Sequence, residues 1–205
     1  GPVAEGSPAT ISFTGQGDPS TLDTAAGFHY AFACDTGSLA AATYASSSAS
    51  SSTTCTFPDG PATYTVRARI LDKDDGYSEY FTFVDVANAA PVLTVNQATI
   101  TVNEGTTAAN SGTISDPGTD PLTIYTEYGT VTDNGNGTWS WSYFAGAGPG
   151  DSRQIVIQAS DGDSGYGGVT FNLVVNNVAP TADAGGPYTV NEGSPVNFIG
   201  TSYDP

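Results

Sequence analysis

Apolar and polar residues alternate in several short segments of the chain, which is the pattern of β-strands with one buried face. The clearest segment has its apolar residues on one face, at Ala62, Tyr64, Val66, Ala68 and Ile70. The opposite face, which we expect to be solvated, carries Thr63, Thr65, Arg67 and Arg69. A second alternating segment places Trp139, Trp141 and Tyr143 on one side, which predicts packing between two sheets rather than a sugar-binding platform.

Turn signals separate these segments, and no stretch shows a helical period with capping residues. The run 133–137 contains two Asn-Gly pairs, which favour the positive φ angles of a tight hairpin. About seven short strands in roughly 90 residues are typical of an immunoglobulin-like sandwich. The pattern therefore predicts an all-β chain of tandem immunoglobulin-like β-sandwich modules, with about seven strands each.

Internal repeats set the boundaries between these modules. The form D-x-D-x-G-Y occurs at residues 72–77 and 161–166, and Glu-Gly occurs at 5–6, 104–105 and 192–193. Asp-Pro follows each Glu-Gly by 12 or 13 residues, and an Ala-Pro pair closes the frame. Several motifs in one order and spacing indicate true repeats.

The repeats predict three modules. The first occupies residues 1–90 and contains two cysteines, and the second occupies 91–179. Residues 180–205 are expected to be the first strands of an incomplete third module, because two strands do not bury a core alone. Completion by later residues of the chain and completion by another subunit are both left open.

The charge of the chain narrows its partners. It carries 21 Asp and Glu against 4 Lys and Arg, for a net charge of −17. Such a surface repels nucleic acid and anionic membranes, and no segment approaches the roughly 20 apolar residues of a membrane span. The one histidine, His29, lies in an apolar strand, so no Ser-His-Asp set can be built and we do not expect an enzyme.

The two cysteines, Cys34 and Cys55, flank a loop rich in Ser and Ala. A disulfide between them would close this loop of about 20 residues and stabilise the module by about 3 kcal/mol. The pair therefore predicts a disulfide and an oxidising, extracellular or cell-surface location.

The motifs place oxygen-bearing side chains at the two ends of each sandwich. Glu-Gly lies in the turn between the first and second strands, at an end that we call the base. Asp-Pro and D-x-D-x-G lie in loops at the opposite end, the crown. In stacked modules a base meets the next crown, and the first joint is then predicted to contain Glu5, Asp59, Asn88, Asp116, Asp120, Asp161 and Asp163. The second joint is predicted to contain Glu104, Asp151, Asn177 and Asp204.

Crowded carboxylates need a counter-charge. Two unit charges about 4 Å apart repel by about 1 kcal/mol in water and about 4 kcal/mol at an effective dielectric of about 20. Ca²⁺ takes about six to eight oxygen ligands, whereas Zn²⁺ prefers His and thiolate and Mg²⁺ retains its waters. The joints therefore predict Ca²⁺. The alternative is that these Asp, Asn and Gly residues only form turns.

Nearly the whole chain resembles known tandem repeats, and the resemblance implies that residues 1–90 form a PKD-like sandwich, where PKD denotes a polycystic-kidney-disease-type repeat. Residues 185–205, GGPYTVNEGSPVNFIGTSYDP, resemble the opening of a PKD repeat from large bacterial surface or secreted proteins. The second module, with SDPGTDPLT, YGTVTDNGNGTWSWSY and VNNVAP, is similar to bacterial Ig-like or cadherin-like tandem repeats. The resemblance implies a β-sandwich, an extracellular location and calcium at module joints. Because VNNVAP is less acidic than cadherin linkers, it implies only backbone or amide ligands there.

These observations predict an extracellular structural or adhesive repeat array, in a bacterial surface protein or filament, made rigid by Ca²⁺ at its joints. The alternative is an accessory stalk or spacer of a secreted hydrolase. Expected partners are neighbouring repeats of the same chain, further copies in a fibre, and surface glycans or proteins. Asn136 begins an Asn-Gly-Thr sequon in an exposed turn, which makes it a candidate glycosylation site.

Overall fold

A computed structural model describes all residues, 1–205, and shows a chain that is almost entirely β-structure. The chain divides into two compact units. Unit 1 comprises Gly1–Pro91, Asp116–Leu122 and Ser160–Tyr166, and unit 2 comprises Val92–Ser115, Thr123–Ala159 and Gly167–Pro205. Unit 1 therefore contains the first module together with two loops that the sequence assigns to the crown of the second.

The first module in unit 1 is a sandwich of two unequal sheets. Its strands are β1 (Val3–Ala4), β2 (Pro8–Ser12), β3 (His29–Ala33), β4 (Ser52–Thr56), β5 (Ala62–Leu71) and β6 (Tyr77–Ala87). One sheet has the order β1-β6-β5-β3 and the other contains only β2 and β4. The buried side chains between them belong to Ala9, Cys55, Phe57, Val66 and Val86.

The small second sheet leaves part of this core uncovered. A cleft of about 650 Å³ opens beside it, with a lining that includes Phe13, Phe28, Phe32, Ile70 and Tyr80. Phe13 packs against two strands of the larger sheet, with its ring centroid 5.8 Å from that of Phe32 on β3 and 5.7 Å from that of Tyr80 on β6.

The predicted disulfide is confirmed. Cys34 and Cys55 are bonded, with their Cα atoms 5.5 Å apart, and they close a segment that spans 21 residues of sequence separation. Contacts with β3 also hold this segment: Ser48 exchanges backbone hydrogen bonds with Tyr30, and the ring of Tyr44 stacks on that of His29 with centroids 3.8 Å apart. The loop is thus ordered by the disulfide and by contacts with β3.

Two local features differ from the sequence prediction. A helix, α1 (Thr21–Ala26), follows Asp18-Pro19, and its N-cap Ser20 accepts a hydrogen bond from the Asp23 N–H. Six residues are too few to show an apolar stripe, so no helix was predicted. Arg69, expected on the wet face of β5, is only 6% exposed because its guanidinium lies 3.7 Å from the Tyr77 ring centroid.

Unit 2 is a more evenly built sandwich. Its strands are β7 (Val92–Leu93), β8 (Thr99–Asn103), β9 (Thr106–Ser115), β10 (Thr123–Thr126), β11 (Thr130–Asp133), β12 (Thr138–Ala145), β13 (Arg153–Ser160), β14 (Tyr166–Asn176), β15 (Thr181–Asp183) and β16 (Thr201–Tyr203). The two four-stranded sheets have the orders β10-β13-β14-β8 and β11-β12-β9-β7, and β15 pairs with β16.

The two tryptophans of β12 fill the core of unit 2, as predicted. Trp139 and Trp141 are almost completely buried. Their indole N–H groups donate to the carbonyl oxygens of Thr94 (3.0 Å) and Tyr128 (2.7 Å), which satisfies the polar atom of each buried ring. The Trp141 ring meets Phe171 edge to face. Ile155 and Ile157 of β13 complete this core from the facing sheet.

Parallel pairing joins early and late strands in each unit. In unit 1, β1 and β6 pair through Val3 with Val86 and Ala4 with Ala87. In unit 2, β8 and β14 pair over five residues, Thr99–Asn103 with Asn172–Asn176. The turns that follow β1 and β8 contain Glu5-Gly6 and Glu104-Gly105, as the repeat predicted.

Candidate functional site

Five carboxylates from the predicted first joint lie together in unit 1. Oxygens of Glu5, Asp116 and Asp120 fall within 4.8 Å of one another, and oxygens of Asp59, Asp120 and Asp163 form a second such group. Asp120 belongs to both, so the two groups are contiguous. We call these five residues the acid cluster.

Glu5 is the best-fixed member of the cluster. Its side chain is fully buried, with 0% exposure. The Gly60 N–H donates to Oε2 (2.6 Å) and the Ala89 N–H donates to Oε1 (2.8 Å), so the carboxylate connects the turn before β5 to the segment after β6. Because each carboxylate oxygen has a second lone pair, both oxygens can still coordinate a cation.

Asp116 and Asp120 each direct one oxygen away from hydrogen-bond donors. The Gly118 N–H donates to Asp116 Oδ1 (2.8 Å), which forms a tight turn directly after β9. The other oxygen of Asp116, Oδ2, and Oδ2 of Asp120 are buried and have no hydrogen-bond partner. A Cβ at Gly118 would lie 2.6 Å from Asp120 Oδ2 and 2.7 Å from Glu5 Cδ, so only glycine allows this approach.

Asp161 and Asn88 organise the loop beside the cluster. The N–H groups of Asp163 and Gly165 both donate to Asp161 Oδ1 at 2.9 Å, and Asn88 Nδ2 donates to Asp161 Oδ2 at 2.8 Å. The Asn88 hydrogen bond is the main cause that lowers the pKa of Asp161. Asp161 therefore holds the D-x-D-x-G turn in shape, while the Asn88 Oδ1 atom stays buried without a partner.

The electrostatics of the cluster are those of uncompensated negative charge. Burial, followed by repulsion from Glu5, Asp59, Asp163 and Asp116, raises the pKa of Asp120 to about 6. Burial is also the main cause that raises the pKa of Asp116. The salt bridges of the chain join Arg67 and Arg69 to Glu79, Lys73 to Asp23 and Asp74, and Arg153 to Asp151, so none reaches the acid cluster.

The donor set fits Ca²⁺. All ligand atoms are carboxylate or amide oxygens, they come from several turns, and three buried oxygens, Asp116 Oδ2, Asp120 Oδ2 and Asn88 Oδ1, have no protein partner. A buried oxygen without a donor is costly, so a cation that coordinates these atoms would stabilise the arrangement.

The residues predicted for the second joint are not gathered in the same way. The N–H groups of Gly148 and Val178 both donate to Glu104 at 2.6 Å, which repeats the bonding of Glu5 and lowers the pKa of Glu104. Asp151 accepts from the Arg153 guanidinium and from backbone N–H groups of its own turn. Asn177 and Asp204 are exposed.

A further carboxylate group lies at the crown of the first module. Oxygens of Asp18, Asp23 and Asp72 fall within 4.8 Å of one another. No site was predicted here from the sequence, although Asp18-Pro19 and the D-x-D-x-G run from Asp72 carry the same motifs as the second crown. Its third member, Asp23, lies on the helix that the sequence pattern did not reveal.

Comparisons with known proteins bear on the fold. Residues 88–174 match the family model described as a bacterial Ig domain. The chain is similar to titin domains z1z2 in complex with telethonin (17% identity, TM-score 0.39, covering 85% of this chain and 90% of that chain). It is also similar to an I-band fragment of titin (11% identity, TM-score 0.47, covering 85% of this chain and 61% of that chain). A third similar structure is a protocadherin gamma B4 extracellular domain (14% identity, TM-score 0.40, covering 86% of this chain and 32% of that chain). No match was found among curated proteins.

The family match and the paired sheets of each unit show an all-β chain of tandem immunoglobulin-like β-sandwich modules. The PKD-type resemblance of residues 185–205 stays a prediction. None of the helices has the length and apolar character needed to cross a bilayer.

Proposed function

We propose that the chain is part of an extracellular structural or adhesive repeat array, in which Ca²⁺ bound by the acid cluster makes the connection between successive modules rigid. One observation carries this proposal. Unit 1 unites Glu5 and Asp59 of the first module with Asp116, Asp120 and Asp163, which lie on crown loops of the second.

These carboxylates cannot lie close together at low cost without a cation. Burial and then their mutual repulsion raise the pKa of Asp120, and the orphaned oxygens of Asp116 and Asp120 need a ligand. A bound Ca²⁺ supplies two positive charges and several coordination positions. Residues 116–122 and 160–166 would then be held against the base of the first module.

Other contacts already bring the same loops to this base. The Thr119 N–H donates to the Pro58 carbonyl (3.0 Å), and Asn88 Nδ2 donates to Asp161. A Cβ at Gly6 would lie 2.4 Å from the Pro117 carbonyl oxygen, so the backbones approach closely. These hydrogen bonds and close contacts position the loops, and the cation would remove the repulsion that opposes them.

The extracellular location is supported by the disulfide and by the match to a bacterial Ig domain. A disulfide persists in an oxidising compartment. Ca²⁺ is also the cation that hard oxygen ligands at module ends favour. The charge of −17 suits a surface that attracts such cations.

Small-angle X-ray scattering of the whole chain, with Ca²⁺ and after chelation, tests the proposal. We expect Ca²⁺ to narrow the distribution of interatomic distances and chelation to broaden it. The Asp116→Asn, Asp120→Asn double variant lacks two candidate ligands and two of the repelling charges, so its distribution should be the same with Ca²⁺ and after chelation. Glu127→Gln, which removes an exposed charge outside the cluster, should behave as the wild type. A wild-type profile that does not change on chelation would contradict the proposal.

A further inference from the structure

The crown of the first module repeats the internal bonding of the second crown. The Ser20 N–H donates to Asp18 Oδ1 (2.6 Å), as the Gly118 N–H does to Asp116. The corresponding turn from Asp72 is built in the same way as that from Asp161. Its N–H groups donate to Asp72 Oδ1 from Asp74 (2.8 Å) and Gly76 (2.9 Å).

The third acid of each crown also corresponds in position. Asp23 follows Asp18 by five residues and Asp120 follows Asp116 by four. Each lies within 4.8 Å, oxygen to oxygen, of the Asp that precedes the proline. Asp18 and Asp23 of the first crown therefore correspond to Asp116 and Asp120 of the candidate calcium site, whereas Asp72 corresponds to Asp161, which shapes its own turn.

The two crowns differ in the residue after the first Asp of D-x-D-x-G. Gly162 stands there in the second crown, whereas Lys73, the one lysine of the chain, stands there in the first. Lys73 Nζ lies 2.9 Å from Asp23 Oδ1 and is also paired with Asp74. A cation that belongs to the chain itself thus lies against the Asp18, Asp23 and Asp72 group.

We propose that Lys73 is the built-in counter-ion of the Asp18, Asp23 and Asp72 group, and that it makes this crown independent of the divalent cation assigned to the acid cluster. This contrast between a calcium-independent first crown and a calcium-binding second crown rests on the proposed function. The tethered ammonium balances part of the carboxylate charge at any calcium concentration. An incoming Ca²⁺ would meet the ammonium at short range, with a repulsion about twice that of two unit charges.

The proposal assigns a specificity role to one side chain. Removing Lys73 leaves three carboxylates at the first crown without a neighbouring positive charge, which is the condition of the acid cluster. Lys73→Gly would reproduce the residue of the second crown, and Lys73→Gln would keep the length of the side chain without its charge. Lys73→Arg keeps the charge and serves as the matched control.

Calorimetric titration of the whole chain with calcium chloride tests this assignment. We expect Lys73→Gln and Lys73→Gly to bind about one more equivalent of Ca²⁺ than the wild type. Lys73→Arg should bind the wild-type number, and so should Arg67→Gln, which removes an exposed positive charge elsewhere (56% side-chain exposure). Adding Asp23→Asn to Lys73→Gln should abolish the extra equivalent.

Circular dichroism establishes that each variant is folded, and melting temperatures with and without Ca²⁺ give a second reading. Ca²⁺ should raise the melting temperature of Lys73→Gln more than that of Lys73→Arg. Folded Lys73 variants with the wild-type stoichiometry and the wild-type calcium response would overturn the proposal. A wild type that binds no Ca²⁺, with a Lys73→Gln variant that does, would instead overturn the function proposed for the acid cluster and leave the role of Lys73 standing.

Discussion

At the residue scale, Glu5 and Glu104 hold the same position in two repeats and make the same pair of backbone hydrogen bonds. The recurrence of Glu-Gly in the sequence predicted that these residues share a role, and it suggested metal binding. It could not reveal the backbone donors, because Gly60 and Ala89 lie 55 and 84 residues from Glu5. Each glutamate is thus a structural connector, and Glu5 is in addition a candidate ligand.

Replacing Glu5 by Gln should destabilise the chain even without calcium. The amide nitrogen of Gln cannot accept a hydrogen bond, so either the Gly60 or the Ala89 N–H is left buried and unpaired. We expect a loss of about 1–3 kcal/mol in the free energy of unfolding.

Denaturant unfolding in the presence of chelator measures this loss without any contribution from bound metal. Glu192→Gln is the matched control, because Glu192 occupies the same Glu-Gly frame and is exposed. It should change stability by less than about 0.5 kcal/mol. Equal stabilities of Glu5→Gln and the wild type would contradict the connector role.

The acid cluster should also make stability depend on pH. The pKa of Asp120 is about 6 in the folded chain against an ordinary value of 3.8. Between these values the folded state binds more protons than the unfolded state, so the free energy of unfolding of the calcium-free chain falls as pH rises from about 4 to about 6. Groups whose pKa is lowered, such as Asp161, act below this window.

Melting temperatures in calcium-free buffer across this window measure the effect. Asp120→Asn should reduce the fall in melting temperature between about pH 4 and about pH 6, and Glu127→Gln should leave this fall unchanged. A wild type whose stability is constant or rises from about pH 4 to pH 6, with Asp120→Asn indistinguishable from it, would argue against the raised pKa.

At the element scale, alternation predicted the strands well because most of them bury one face. The tryptophans of β12 and the isoleucines of β13 lie in the core where their period of two places them. Helix α1 and the burial of Arg69 were not predicted, because both depend on contacts that a pattern of apolar and polar residues along the chain does not show. The helix α1 depends on the Ser20 cap over a short run, and Arg69 is buried by Tyr77 and Glu79 from the neighbouring strand.

The candidate site, like the strands, could be predicted in its position along the chain but not in its contacts. Motif spacing assigned the five residues of the acid cluster to one joint, and the structure brings them together, because turn position fixes the end of the sandwich at which a side chain lies. It could not separate ligands from organising residues. Asp161 is used by its own turn and by Asn88, and Asp151 is used by Arg153, and these partners become evident only when the turns are folded.

The disulfide should contribute to stability through the loop that it closes. Replacing Cys34 and Cys55 together by Ser should lower the free energy of unfolding by about 3 kcal/mol, the value expected for a loop of about 20 residues. Denaturant unfolding measures this change. A reducing agent should lower the free energy of unfolding of the wild type to that of the double variant and leave the value of the double variant unchanged. A wild type insensitive to reduction would contradict this account.

At the scale of the whole molecule, the two units have similar folds but differ in how completely each sandwich is built. Unit 2 has two sheets of four strands, whereas the smaller sheet in unit 1 has two strands and leaves the cleft beside Phe13 and Tyr80. The sequence predicted about seven strands in each module. It could not predict this difference, because the difference depends on how many strands pair and not on the motifs in the turns.

The parallel strand pairs determine how each unit should respond to tension along the chain. Pulling on the two ends of a module slides its early strand past its late strand, so every hydrogen bond between them carries the load at once. Two residue pairs join β1 to β6 and five join β8 to β14. Single-molecule stretching should therefore extend the first module at a lower force than the second, so that an array of such modules would lengthen in steps and absorb a sudden pull before its stronger members yield.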